Sequence, residues 1–417
     1  LEFLEYSFIS SRRYYFWSRL ERFKLVKDPV HGYIVLDEDM LRIVDSAAFQ
    51  RLRRISQLPF VYLVYPGARH SRFDHSLGCM HLARMLGERL GLDEYKLRVL
   101  TIAGLVHDLG HTPYSHLLET LLREKGLTHE DMTLRILEED NDISSSIERC
   151  GVSVKDVKSI LEKRDPLGSI ISGPVDIDKL DFLLRDSYFT GAFYGVIDIA
   201  RIIYTSRLVN GRVALSTRAL GVLEELAIAR YQSFMNIYFH HTVRAVQTMF
   251  LRGVRMLRDV LDFSRMSIEE YLVHDDFTVW CLMHQNEETR GVVRNIERRI
   301  LPKVAYEYRV YERREHLELI RDAEAIKDIE ELIAGEAGVP HEYVWIDTPY
   351  IPPLPYVDQD RIEFYIEEDG KTILREYVSP LLKFTSEIYE ILRVYTMKEY
   401  LDRVSKASAK ILRRELF

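Results

Sequence analysis

Apolar residues recur at three- and four-residue steps through most of this chain, and that periodicity commits it to a mainly helical fold. Leu77, Met80, Ala83, Leu86 and Leu90 make one stripe, and Leu100, Ala103 and Val106 another. Gly91 follows the first and Asp108-Leu109-Gly110 the second, where glycine is expected in the left-handed conformation that ends a helix. His107 is thereby placed at a helix end. Two β-hairpins are expected around Asn210-Gly211 and Asp369-Gly370, because both pairs accept the positive φ of a type I′ turn. The proline-rich run Thr348 to Pro355 reads as an extended connector, and a last helix is expected from Leu401 to Leu412.

A 417-residue chain with 47% hydrophobic and 29% charged residues has the composition of a globular protein with little extended disorder. Its net charge of -8 argues against bulk nucleic acid as the main partner and suits a small anion bound in a local basic pocket. Short basic runs such as Arg51 to Arg54 fit an interface. Cys79, Cys150 and Cys281 are far apart, which indicates neither a disulfide framework nor a zinc knuckle and makes a reducing cytoplasm the expected location. Leu1 to Arg22 has no apolar core of a signal peptide, and no apolar run reaches the roughly 18 residues of a spanning helix, so no membrane segment is expected.

The chemistry concentrates in His75, the pair His107 and Asp108, and Asp178, on three separate predicted helices. Two imidazoles and two carboxylates suit one divalent cation that keeps water for chemistry. The plain alternative makes His75 and His107 hydrogen-bonded core histidines and Asp178 a helix-start residue. A second HD pair, His274-Asp275, has no such neighbours. Jointly, however, two buried imidazoles and two carboxylates carry a large desolvation penalty unless a cation organises them.

His111, His116 and His129 follow, with Glu119 one turn after His116. A histidine beside a phosphate ester can protonate the leaving oxygen, and a carboxylate can hold its tautomer. Pro113 implies a turn between His111 and His116, so loop geometry must bring their rings together. Arg72, Lys179 and Arg230 are cations that could hold phosphates. Arg230, Phe234 and Tyr238 fall at i, i+4 and i+8 on one expected helical stripe.

The runs KDPVHGYIVL, FQRLRRISQL, YPGARHSRFDHSLG, HDLGHTPYSH, THE, DIDKLDFLLRD and YFHHT, in order between about Lys24 and Val246, resemble the HD-domain phosphohydrolases. More closely they resemble the deoxynucleoside triphosphate triphosphohydrolases, including the core of the SAM and HD domain dNTPase. The resemblance implies a helical HD core, 24–265; the residue pattern adds small β-hairpins, an N-terminal segment, 1–23, and a C-terminal mixed α+β region, 266–417, which matches the family only loosely. No SAM domain is visible.

It further implies His75, His107, Asp108 and Asp178 as ligands of one divalent metal, with Mg, Mn, Fe, Zn, Co and Ni all open. The implied reaction converts a dNTP and water to a deoxynucleoside and triphosphate, with His116 as acid and His111, His129 and Glu119 around the phosphates. Arg72, Lys179, Arg230 and Tyr238 match phosphate or sugar contacts, Gln57 and Leu58 the sugar side, and Asp186 a partner of the 3′ hydroxyl. Phe182 departs from the pattern, standing where the dNTPase core has tyrosine.

Lys24, Asp45, Gln50 and Arg53 match positions that bind an activating nucleotide, GTP or dGTP, between subunits of a homo-oligomer, a tetramer or dimer. Asp45 could instead cap the helix leading into AAFQRLRRI, with Arg53 and Arg54 a solvated face. Alternatives to dNTP hydrolysis are another HD phosphohydrolase acting on a monophosphate or cyclic dinucleotide, and a catalytically idle nucleotide sensor.

Overall fold

A computed structural model of the chain describes residues 23–173, 175–210, 212–310, 323–349, 363–368, 371–376 and 390–416. The expected N-terminal segment lies outside them except for Phe23, as does most of the proline-rich connector.

Helices dominate, as the periodicity predicts. In chain order they are α1 (Glu38–Val44), α2 (Ala47–Arg51), α3 (Arg72–Arg89), α4 (Glu94–Val106), α5 (His116–Arg123), α6 (His129–Glu139), α7 (Asn141–Arg149), α8 (Val154–Leu161) and α9 (Gly168–Ile171). After these come α10 (Ile177–Thr190), α11 (Ile199–Thr205), α12 (Leu220–Ser233), α13 (His241–Met256), α14 (Ile268–Val273), α15 (Asp276–Gln285), α16 (Arg290–Glu297), α17 (Ala323–Ala337) and α18 (Leu401–Leu416). Their starts are written locally: Asp93, Thr128, Asp140, Asp176 and Ser267 each cap a helix by accepting a backbone N–H with the side chain.

Strands are few. β1 (Phe23–Asp28) and β2 (Gly32–Asp37) form an antiparallel hairpin that sequence reading did not anticipate. β3 (Ser206–Val209) pairs with β4 (Arg212–Ser216), and the Val209↔Arg212 register leaves the expected two-residue turn, with Asn210 at φ 53°. β7 (Glu363–Glu368) and β8 (Lys371–Glu376) pair antiparallel, with the second expected turn, Asp369-Gly370, outside the described residues, and β4 runs parallel to β7. β5 (Lys303–Val310), β6 (Trp345–Asp347) and β9 (Glu390–Thr396) form an antiparallel sheet in the order β5-β9-β6.

One apolar core runs from Ile34 to Leu301, and a smaller one joins the β5-β9-β6 sheet to α17 and α18. Each fully buried Leu or Ile contributes roughly 1.5–3 kcal/mol, so α3 and α4, packed along both expected stripes, are held chiefly by burial. No helix among the described residues is long and apolar enough to cross a membrane.

Three local expectations are corrected. Gly91 is left-handed, at φ 71°, but Gly110 is absent from the positive-φ glycines. A Cβ at Gly110 would strike the His129 carbonyl and the Thr133 amide of α6, so close packing explains this glycine. Gly110→Ala is expected to cost ~1–3 kcal/mol or more, because backbone must move; denaturant unfolding measures it, and an unchanged midpoint would refute the packing argument. Ser46, not Asp45, caps the helix leading into AAFQRLRRI; Asp45 ends α1. Arg51 is not available to an interface, being 1% exposed with its guanidinium donating to the carbonyls of Leu109, His111 and His274.

Candidate metal centre and catalytic cleft

Three helices converge on the predicted ligands. His75 lies in the first turns of α3, His107 is the C-cap of α4 with Asp108 following it, and Asp178 occupies the first turn of α10. His75 Nδ1 donates to Asp181 Oδ2 at 2.7 Å. That leaves Nε2 as the lone-pair nitrogen, 3.0 Å from Asp178 Oδ1 and 3.6 Å from Asp108 Oδ2. His107 Nδ1 donates to the Gly104 carbonyl at 3.0 Å, so its buried Nε2 has no hydrogen-bond partner and lies 3.3 Å from Asp108 Oδ1.

An unpartnered imidazole nitrogen among carboxylates is a candidate ligand atom, and these separations suit ligands about 2.0–2.2 Å from one cation. Burial opposes charge on Asp108 and Asp178, but His107 and Arg72 hold the first, and His75 the second, below the usual carboxylate range. Burial likewise opposes charge on His75, yet the Asp178 and Asp181 carboxylates raise the ring well above 6.5, so a metal at Nε2 would take the place of a proton. Asp108 and Asp178 thus stay charged and offer anionic oxygens beside the two imidazoles. The Cys79 thiol is 3.6 Å from His75 Nε2, but burial pushes its pKa up and keeps it neutral.

A second cluster adjoins the first through Asp108. His111 Nε2 stands 3.4 Å from Asp108 Oδ1, and its ring stacks on His129 at 4.0 Å between centroids and meets His116 edge-on at 4.8 Å. Buried Glu119 accepts from His116 Nδ1 at 2.6 Å and from His129 Nδ1 at 2.9 Å. Burial works against its charge, but these hydrogen bonds hold it far below the carboxylate range. Glu119 in turn raises His129 above 6.5 against burial, whereas burial and Arg72 hold His111 well below 6.5. His116 differs from its partners in exposure: its side chain is 62% exposed, with Nδ1 turned to Glu119 and Nε2 left for a ligand. Arg72 is buried between the clusters, donating to Asp108 Oδ2 at 2.7 Å and Ser115 Oγ at 2.9 Å.

Most of the sugar-side residues also meet. Asp186 accepts from Tyr238 Oη at 2.5 Å and from His70 Nε2 at 2.8 Å, and the Gln57 amide donates to the His70 carbonyl. Leu58 and Tyr238 share an apolar cluster with Tyr65 and Tyr194. Gln57 Oε1 is buried and unpaired. Arg230 lies over the Phe234 ring at 5.0 Å, and Phe234 meets Tyr238 edge-on at 5.1 Å. Their expected α-helical stripe is corrected, because Phe234–Tyr238 form a π-helical turn after α12. Lys179 Nζ is held at 2.5 Å by Asp176, and half-buried Phe182 packs on the main core.

Among the activator positions, Gln50 Oε1 accepts from Arg53 Nε at 2.9 Å, and the Arg53 guanidinium covers the Phe73 ring at 3.4 Å. Lys24 is exposed on β1, and Asp45 is exposed at the end of α1.

Residues 72–164 match the HD domain family, and residues 197–415, more than half of the chain, match the HD associated region. This chain is a member of the HD-domain family. It is 31% identical over 395 residues to an uncharacterized protein of Methanocaldococcus jannaschii, covering 93% of this chain and 82% of that one. It is 29% identical over 310 residues to the deoxynucleoside triphosphate triphosphohydrolase SAMHD1 homolog of Dictyostelium discoideum, covering 67% of this chain and 59% of that one. A crystal structure of a hypothetical protein from Aquifex aeolicus superposes with a TM-score of 0.75 at 28% identity, over 92% of this chain and 99% of that one.

Within this HD domain protein, sequence reading missed the residues that hold the ligands. Asp181 is fully buried and orients His75; it is gripped by Arg185 Nε and Nη2, both at 2.8 Å, and by His31 Nε2 at 2.6 Å. Arg185 also pairs with Asp28 at 2.8 Å, which ties the β1-β2 hairpin to the candidate metal centre. One signal existed: Asp181 lies three residues after Asp178, on the same helical face. Asp181→Asn is expected to weaken metal affinity about 10- to 100-fold, as loss of a histidine's orienting carboxylate does. Competition against a chelator of known affinity measures this, and wild-type affinity would remove Asp181 from the centre.

Proposed function

We propose that this HD-domain protein is a metal-dependent dNTP triphosphohydrolase, converting a dNTP and water to a deoxynucleoside and triphosphate. One observation carries the reading: Asp108 joins a nitrogen and oxygen ligand set to a histidine cluster whose exposed member, His116, bonds Glu119 through Nδ1 and keeps Nε2 for a substrate. The name of the Dictyostelium discoideum relative supports the substrate class.

His75, His107, Asp108 and Asp178 are the proposed ligands, and a bound divalent cation would supply Lewis acidity to the α-phosphate and its attacking water. Mg, Mn, Fe, Zn, Co and Ni are all compatible with this donor set. Water attacks the α-phosphorus, the bond to the 5′ oxygen breaks, and that oxygen takes a proton from His116 Nε2. Glu119 stabilises the charged His116 ring, while Arg72, Lys179, Arg230, His111 and His129 surround the phosphates. The His70–Asp186–Tyr238 group receives the sugar hydroxyl beside Gln57 and Leu58. Phe182 offers no hydroxyl, so sugar discrimination falls on that group.

We also propose activation by GTP or dGTP in a homo-oligomer, with Lys24, Asp45, Gln50 and Arg53 receiving the activator. Chromatographic product analysis with each dNTP, alone and with GTP or dGTP, in Mg and in Mn, tests both. Deoxynucleoside plus intact triphosphate upholds the reaction; product appearing only in mixtures, with assembly seen by light scattering, upholds activation. No consumption of any dNTP would sink the substrate and turn attention to monophosphates, cyclic dinucleotides or sensing.

A further inference from the structure

Tyr114 and Ser115, immediately before His116, both have positive φ, at 55° and 51°. Residues with a Cβ adopt that region only where their surroundings hold them. The holding group comes from far along the chain. Asp276, 8% exposed at the start of α15, accepts from the Tyr114 amide at 2.6 Å through Oδ1 and from the Ser56 amide at 2.9 Å through Oδ2. Its carbonyl accepts the Tyr114 hydroxyl at 3.0 Å. The Ser56 carbonyl accepts from Ser115 Oγ at 2.6 Å, and that hydroxyl accepts from Arg72.

We propose that Asp276, in the HD-associated region, is a positioning residue that clamps the Tyr114-Ser115 turn and thereby aims His116 into the cleft. The proposal rests on the reading of His116 as proton donor. Capping does not explain the carboxylate, because Asp275 caps α15 by accepting from the Thr278 amide. Burial pushes the Asp276 carboxyl up to about 6 against the hydrogen bonds from Ser56 and Tyr114, so the fold keeps an acid here at a cost. Arg51 braces the other side of the same loop through the Leu109 and His111 carbonyls. The HD-associated region, which also carries Arg230 and Tyr238, thus holds a turn of the HD domain from outside that domain.

The test compares Asp276→Ala, Asp276→Asn and, as a control that weakens only the α15 cap, Thr278→Ala. In Asp276→Ala, amide hydrogen exchange over residues 112–118 should quicken, kcat should fall about 10²-fold with KM and metal content unchanged, as misplacement of a reacting group predicts. Asp276→Asn, which keeps one acceptor oxygen, should fall between Asp276→Ala and wild type, and Thr278→Ala should keep its kcat. In a His116→Ala background, Asp276→Ala should cost nothing more; an additive loss would overturn the proposal. So would wild-type exchange over 112–118, or an equal kcat loss in Thr278→Ala. If wild-type protein hydrolyses no dNTP, the substrate reading falls, and the exchange comparison still upholds or overturns the clamp.

Discussion

Asp108→Ala protein should purify without stoichiometric metal and lose about 10³-fold or more of its phosphohydrolase activity. Its two oxygens serve different neighbours: one takes the Arg72 guanidinium at 2.7 Å, and the other faces His107 and His111 at 3.3 and 3.4 Å. Removal therefore strips a ligand and strands a buried arginine, a change that costs roughly 3–5 kcal/mol when a buried pair is broken. Asp108→Asn separates the two effects, since it keeps the volume and one acceptor for Arg72 but supplies no anionic ligand. Metal content by elemental analysis, activity and thermal unfolding should diverge accordingly, with the midpoint falling further in the alanine protein and metal lost in both. Full metal content in Asp108→Asn would displace Asp108 from the ligand set.

His116→Ala should lower kcat about 10²- to 10⁴-fold, the usual contribution of a positioned acid, while leaving metal content and stability unchanged. The reason is positional: the ring is 62% exposed, touches Glu119 and its histidine neighbours, and contributes nothing to the first ligand set. Its loss should vanish on a substrate that needs no proton. A nitrophenyl nucleotide ester, whose leaving group departs as an anion, should be hydrolysed by His116→Ala at nearly the wild-type rate. Equal losses on both substrates would make His116 a phosphate contact and return the acid's role to His111 or His129.

The four proposed ligands were legible because imidazole and carboxylate chemistry at helix ends has few other uses in such density. The histidine cluster was legible only as composition: the spacing of His111 and His116 put no two rings on one face, and the left-handed turn at Tyr114 and Ser115 that brings them together has no glycine to announce it. Arg51 misled because a basic run reads as surface, and only carbonyls gathered from Leu109, His111 and His274 make its burial tolerable. His274-Asp275, set aside as a chance pair, leads into Asp276, the acid that reaches the turn before His116.

Sequence alone determined what nearest neighbours along the chain decide: the helical stripes, the side-chain caps at Asp93, Thr128 and Asp176, and the turn of the β3-β4 hairpin at Asn210. Those features depend on interactions within a few residues, where residue type and spacing are sufficient. Tertiary structure decided how the ligands are held, pairing His75 with Asp181, Arg185 with Asp28 and Tyr114 with Asp276 across separations of 106, 157 and 162 residues. Such pairs leave no period in one sequence, because only burial, which makes an unpaired charge or amide costly, selects one partner from many.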